Sequence, residues 1–430
     1  MSAESAVQDA PEQRRTLLVL ASAQVLSGFG LAAGITVGAL LAQDMLGSTS
    51  LAGLPALLFT AGSALAAAAM GRVSQRRGRR DGLAAGLAAG AVGGAGVVAA
   101  AVVGSPALLF ASLFVYGAGS ASNLQARYAG ADLAAEHRRG RAVAVVLVAT
   151  TVGAVAGPAL AGVVGDVAEG LSIPRLAGPF ALASVAYGLG AVVLWVALRP
   201  DPLLLARARA AEQAAAPSPA GLGDAHAEDA ATRSAAPTAG RSTGAAGVRL
   251  GAAIMIVTQI VMIAVMTMTP IHMRGHGHDV SAIGIVIGVH VAAMFLPAPL
   301  SGWLVDRFGP LPVGVAAAAT LAAAGVVSAV APVDSLPLLI VALALLGLGW
   351  SLGLVAGTAL VTASAPVERR ASVQGSVDFL IAIAGATGGG ASGIVMAHSS
   401  YGALALGGGV LALVLVPFMI GGPRSARLAQ

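Results

Sequence analysis

The sequence predicts an all-α membrane protein, with twelve transmembrane helices in two six-helix bundles. Three observations predict it. Of 430 residues, 57% are hydrophobic and only 10% charged, a balance that a water-soluble globule with a polar exterior does not show. Apolar runs of the length that crosses a hydrocarbon core of about 30 Å at about 1.5 Å per residue follow one another along the chain. The second half then repeats landmarks of the first.

Taken in order, residues 1–15 carry acids as well as Arg14 and Arg15. The apolar run behind them is longer than a signal-peptide core, so no cleavage is expected. Spans are read at 17–41, 51–71, 82–104, 106–126, 142–164 and 176–198, and again at 250–272, 281–304, 312–332, 336–361, 373–397 and 401–421. Between the sixth and seventh, residues 199–248 turn to Ala, Pro, Ser, Gly and scattered charge. This reads as a flexible cytoplasmic linker between an N-terminal bundle (1–198) and a C-terminal bundle (249–430).

All 24 Lys and Arg positions are arginine, and with an inside amino terminus only Arg175 and Arg274 fall on the outer side. The positive-inside rule therefore predicts a multi-pass protein of the cytoplasmic (plasma) membrane with both termini cytoplasmic. The formal net charge of +5 reports topology and contact with the anionic lipid bilayer, not nucleic-acid binding. A functional monomer handling a small solute or metal ion is expected. Cysteine is absent, which excludes disulfides and thiolate sites and leaves histidine, methionine and carboxylate as metal ligands.

The internal repeat is specific. Gly71 to Gly78, "GRVSQRRG", recurs 231 residues later as "GWLVDRFG", Gly302 to Gly309, and "EHRRGRA" opening span 5 recurs as "ERRAS" opening span 11. Parallel duplication of six spans is an architecture of transporters that rock around a midplane site. The spacing G-x-x-x-D-R-x-G between spans 2 and 3, and again between 8 and 9, resembles motif A of the Major Facilitator Superfamily, and the likeness covers nearly the whole chain. The resemblance implies a gate in which Gly71, Gln75, Arg76 and Gly78 form one copy and Gly302, Asp306, Arg307 and Gly309 the other. Glycines let helix ends approach closely, while the polar side chains engage helix termini and partner charges. Gln75 replaces the acid in the first copy. An amide cannot form an ion pair, so the N-terminal gate is expected to be the weaker latch.

Span 5 contains "GAVAGPALAG" with Gly153, Gly157 and Pro158. It is similar to motif C of the same superfamily, which is associated with proton-coupled exporters. Small residues four apart also allow tight helix packing with no such role. Leu113 stands where the arginine of motif B would be, which argues against the usual drug/proton antiport.

Spans 7 and 8 carry the soft ligands. Span 7 holds Met255, Met262, Met266, Met268 and Met273, five of eleven methionines. Met262 and Met266 share one helical face, as do His290 and Met294 on span 8. Counted inward from the outer ends at about 1.5 Å per residue, both pairs lie near mid-bilayer. Thioether and imidazole without thiolate suit Cu(I) and suit Mg or Ca badly. A Met stripe serves equally as core packing or as a pliable wall for greasy substrates, whereas an ionisable His290 at that depth points to a cavity. M-x-x-x-M followed by H-x-x-x-M-F-x-P resembles the CcoA-like (CalT) copper-importer branch of the superfamily. That resemblance implies a metal path through Met262, Met266, His290 and Met294. The lack of cysteine departs from the copper importer, and the branch includes relatives that carry riboflavin.

His272 lies at the mouth of that path, and His276, His278 and Asp279 follow in "HMRGHGHD". These could collect Cu(II) or Zn(II), or form a solvated turn. Asp378 in span 11 is a candidate proton carrier, Gln24 and Gln259 are candidate cavity hydrogen bonders, and Arg127 with Asp132 reads as a structural ion pair. No phosphate loop, placed nucleophile or thiolate site supports an enzyme. No bound cofactor is expected, copper entering as substrate. The function read here is secondary active transport by alternating access, with copper uptake first. Proton-coupled efflux of amphipathic drugs, uptake of a flavin-like metabolite and a non-transporting membrane receptor or assembly factor are the alternatives.

Overall fold

The computed structural model describes residues 11–36, 41, 44–45, 54–215, 239–278 and 280–420. Among these, every regular element is helical. Spans 1 to 6 are Pro11–Thr36, Leu54–Arg77, Arg79–Val103, Pro106–Ala131, Arg139–Gly170 and Gly178–Ala197. Span 7 is Ala239–Gly275, span 8 is split into Val280–Phe295 and Ala298–Phe308, span 9 is Pro310–Val330, span 10 is Leu336–Ser364, and span 11 is Arg370–His398. Span 12 comprises Tyr401–Leu413 and Val416–Ile420. Among the described residues, eleven helices are long and apolar enough to cross a membrane. Span 1 completes the set by packing on spans 4, 5 and 6.

Local chemistry explains the breaks. Gly78 between spans 2 and 3 has φ 98°, and Gly309 between spans 8 and 9 has φ 86°. A Cβ strains that conformation, so each copy of the repeat ends in glycine. Span 8, expected to run unbroken over 281–304, is interrupted because Pro297 has no N–H to give the Ala293 carbonyl. The same rule applies to Pro270 inside span 7, which cannot donate to the Met266 carbonyl.

The two bundles pack alike. Span 1 lies on span 5 and span 7 on span 11; spans 3 and 4 pair as do 9 and 10; span 3 meets span 6 as span 9 meets span 12. Tyr116, Phe180 and Tyr187 are buried in the first bundle among Leu83, Leu87 and Leu109. Between the bundles, span 2 packs on span 11, and span 8 on span 5. All four contacting ends lie on the face that holds Arg72 to Arg80, Arg138 to Arg141, Arg307 and Arg369 to Arg370, called here the arginine-rich face.

Residues 199–248, expected to be unpacked, begin with a docked helix, Pro202–Ala215. The reason lies in its first turn. Pro202 and Leu203 are buried, and the Asp201 carboxylate accepts from the N–H of Leu203 at 3.0 Å and of Leu204 at 3.1 Å while also holding the Arg80 N–H at 2.8 Å. An N-cap and two buried apolar side chains, Pro202 and Leu203, seat it. Residues 216–238 lie outside the described set.

Candidate functional site

Met262, Met266 and Met294 lie where the two bundles meet, whereas Met268 and Met273 are buried within the second bundle. Met262 and Met294 are buried in one apolar cluster with Phe295, Trp350 and Ile381, against Val143 and Leu147 of the first bundle; Met266 packs on its edge, half-buried. His290, one turn before Met294, is fully buried. Its Nδ1 lies 2.9 Å from the Leu343 carbonyl of span 10, and its Nε2 is buried without a hydrogen-bond partner. A carbonyl only accepts, so this contact requires the proton on Nδ1. In the neutral ring Nε2 then carries the lone pair, as in metal-binding imidazoles oriented by a backbone oxygen.

Sequence reasoning missed the aromatic wall beside them. Trp350 donates from Nε1 to Gln259 Oε1 at 2.8 Å and stands edge-to-face on Phe295, ring centroids 5.6 Å apart. Half-buried Gln259 is thus oriented by an indole. Gln24 is buried among spans 1, 4 and 5, where its Nε2 donates to the Asn123 carbonyl at 2.9 Å and to Thr150 Oγ1 at 3.0 Å. It ties helices of one bundle together.

The charges pair differently from expectation. Arg127 does not pair with Asp132. It crosses to the other bundle, where Nη2 donates to Asp378 Oδ1 at 2.6 Å and Nε to Thr358 Oγ1 at 2.9 Å; the Tyr128 hydroxyl also donates to Asp378 Oδ1 at 3.2 Å. Both charged side chains are buried, and Asp378 Oδ2 has no partner. Asp132 instead binds Arg79 Nε at 2.8 Å, with Arg370 at 3.9 Å. Arg79 also donates to Gln374, joining spans 3 and 11. The spacing Arg127 to Asp132 runs just past one helical turn, so the two side chains diverge and each meets what packing brings to it.

Both copies of the gate reach across the bundle interface. Asp306 accepts from the backbone N–H of Gly140 at 2.7 Å and of Arg141 at 3.0 Å, at the start of span 5. Gln75 accepts from the Ser372 N–H at 3.2 Å and donates to the Glu368 carbonyl, at the start of span 11. A Cβ on Gly302 would fall 2.5 Å from the Gly140 carbonyl oxygen, and one on Gly71 2.8 Å from Gly375 Cα, so the glycines permit the approach. Arg76 and Arg307 are exposed. Among the described residues, the hydrogen bonds and ion pairs between the bundles all lie in the halves of the spans nearer the arginine-rich face.

At the opposite end, the His272 ring stacks on Tyr401 at 4.3 Å and stands 4.5 Å from His276. His276 Nδ1 is 2.8 Å from the His272 carbonyl, and His278 Nε2 is 2.8 Å from the Val333 carbonyl. Asp279 is outside the described residues. Among those described, no group of three or more His, Asp or Glu could hold a metal ion. Gly153 sits against Gly28 of span 1; Gly157 is helical, and the side chain of Pro158 is outside the described set.

Compared with known proteins, the chain matches the Major Facilitator Superfamily over residues 20–250 and 250–429. It belongs to that superfamily. YdeG of Bacillus subtilis, an uncharacterized MFS-type transporter, is 51% identical over 407 residues, 95% of this chain and 91% of YdeG. The riboflavin transporter RfnT of Brucella anthropi is 30% identical over 377 residues, 87% of each chain. Among solved structures, the proton:xylose symporter XylE has a TM-score of 0.74 at 17% identity, over 96% of both chains, a likeness of fold. The protein is a multi-pass membrane transporter and not an enzyme.

Proposed function

We propose that this transporter imports copper as Cu(I), with the arginine-rich face in the cytoplasm and the described state closed on that side. One observation carries the cargo assignment: a buried imidazole, held by the Leu343 carbonyl so that Nε2 is bare, one turn from Met294, which is buried in the same apolar cluster as Met262 with Met266 at its edge. Three thioethers and a neutral imidazole would make a soft, uncharged donor set that favours Cu(I) over hard divalent ions. The set sits beside the interface between bundles, so rocking them changes which side reaches it. Asp378 serves as the proton carrier in this reading. Protonation of its carboxylate removes the charge that holds Arg127 across the interface, which releases the closed end.

The test is accumulation of radiolabelled copper in proteoliposomes under an imposed proton gradient. Substituting His290→Gln or Met262→Leu should lower uptake by about tenfold or more, the range for losing a ligand or its orientation, with the protein still inserted. Asp378→Asn should retain copper binding and lose dependence on the gradient. A second reading has support of its own. RfnT is a riboflavin transporter, and the buried Trp350 and Phe295 beside Gln259 are the aromatic and amide groups that opening of the bundles would present to a planar heterocycle. Riboflavin uptake that Trp350→Ala abolishes while His290→Gln leaves it intact, with no copper flux in either protein, would replace the first reading with this one.

A further inference from the structure

On the arginine-rich face a cavity of about 450 Å³ lies between the two bundles and the helix Pro202–Ala215. Its walls include His137, Arg138, Arg139, Arg209 and Arg370, with Asp132 as the acid among them. The Asp132 carboxylate is taken up by Arg79 at 2.8 Å, with Arg370 farther off at 3.9 Å. Glu136 and Glu12 reach Arg139 and Arg209 at 3.4 Å each, from the rim. Arg139 Nε and Arg370 Nε are buried without hydrogen-bond partners. Both residues open helices, spans 5 and 11, whose free N–H groups and dipoles also favour negative charge. We propose that this cavity binds a phosphate-bearing anion, and that its occupancy holds the transporter closed on this face.

Planar guanidinium groups match phosphate oxygens in pairs, and the volume is that of an ordinary small-ligand site. The walls come from four parts of the chain: the end of span 4 with the start of span 5, the start of span 11, the helix behind span 6, and Gln13 of span 1. Opening this face separates the first from the second and dismantles the site, so a ligand that binds the assembled cavity must stabilise the closed state. Buried, unpaired guanidinium nitrogens are costly to leave unmatched, and an anion supplies what they lack. The phosphate could be that of a soluble metabolite or of an anionic lipid headgroup reaching in from the leaflet, and the test separates these.

The assignment of this face to the cytoplasm rests on the proposed function, but binding to the purified full chain does not. Thermal unfolding of that chain in neutral detergent would be followed against inorganic pyrophosphate, with sodium chloride of matched ionic strength as control. The same chain in liposomes of phosphatidylcholine, with or without phosphatidylglycerol, would be labelled at a single introduced cysteine reporting on closure. The variant Arg139→Gln with Arg209→Gln, far from Met262 and His290, provides the comparison. A saturable rise in unfolding temperature with pyrophosphate, weakened at least tenfold in apparent affinity by the variant, supports a soluble ligand. Closure that depends on phosphatidylglycerol in the parent and not in the variant supports the headgroup. No saturable effect of either, or equal effects in parent and variant, overturns the proposal while leaving the copper or riboflavin flux measurements untouched.

Discussion

The two copies of the glycine-bounded repeat make the same cross-bundle contact with different chemistry. In the second, a carboxylate whose side chain is only 6% exposed takes the first N–H groups of span 5. In the first, an amide takes an N–H of span 11 and gives one to its preceding carbonyl. Gly140 and Ser372, the residues they cap, are 232 residues apart, nearly the 231 that separate Gly71 from Gly302. The cross-bundle contact is thus repeated, and only its charge is not. Neutral Gln75 is expected to make the weaker latch, and further bonds cross the interface beside it. Arg207 donates to the carbonyls of Gln75 at 2.8 Å and Val367 at 3.3 Å, and Arg79 bridges Asp132 to Gln374. Helix termini need an acceptor more than a charge, and the structure meets that need in either form.

Breaking this likeness orders the expected effects. The largest comes from Gly302→Leu, because its Cβ alone would collide with the Gly140 carbonyl. We expect loss of transport and permanent opening of the arginine-rich face, read as labelling of a cysteine introduced near Ala144. The natural chain has no cysteine, so the label is unambiguous. Next is Asp306→Asn, which keeps the shape and removes the charge. Charge at a helix N-terminus contributes about 1 kcal/mol, so the open population should rise by several-fold in the same labelling assay. Smallest is Gln75→Glu. It gains the favourable charge but turns an oxygen toward the Glu368 carbonyl, and these oppose each other to within about 1 kcal/mol. Should Gln75→Glu prove as disruptive as Gly302→Leu, the equivalence of the two gates fails.

Much of this was legible before the fold was known. Span positions follow from the solvent: hydrocarbon cannot hydrogen-bond a backbone, so apolar length alone marks a helix. Duplication was visible because each copy ends in a glycine, Gly78 and Gly309, whose φ near 90° would strain any other residue. Methionines four apart on one helix had to share a face. The break in span 8 and the docked helix after span 6 each had a local signal, Pro297 and the Asp201 cap, outweighed by the composition around it.

By itself, then, the sequence determined what is periodic or local: twelve crossings, two related bundles, the gate spacing and the presence of soft donors in spans 7 and 8. Tertiary structure alone decided partners. It sent Arg127 to Asp378 and not to Asp132, turned His290 to Leu343, seated Trp350 on Gln259, and closed an arginine-lined cavity from four distant segments. The physical reason is range. Helix formation in lipid is settled within a few residues of backbone, whereas a buried charge or imidazole takes whichever complementary group the packing of remote helices delivers, and no spacing along the chain encodes that.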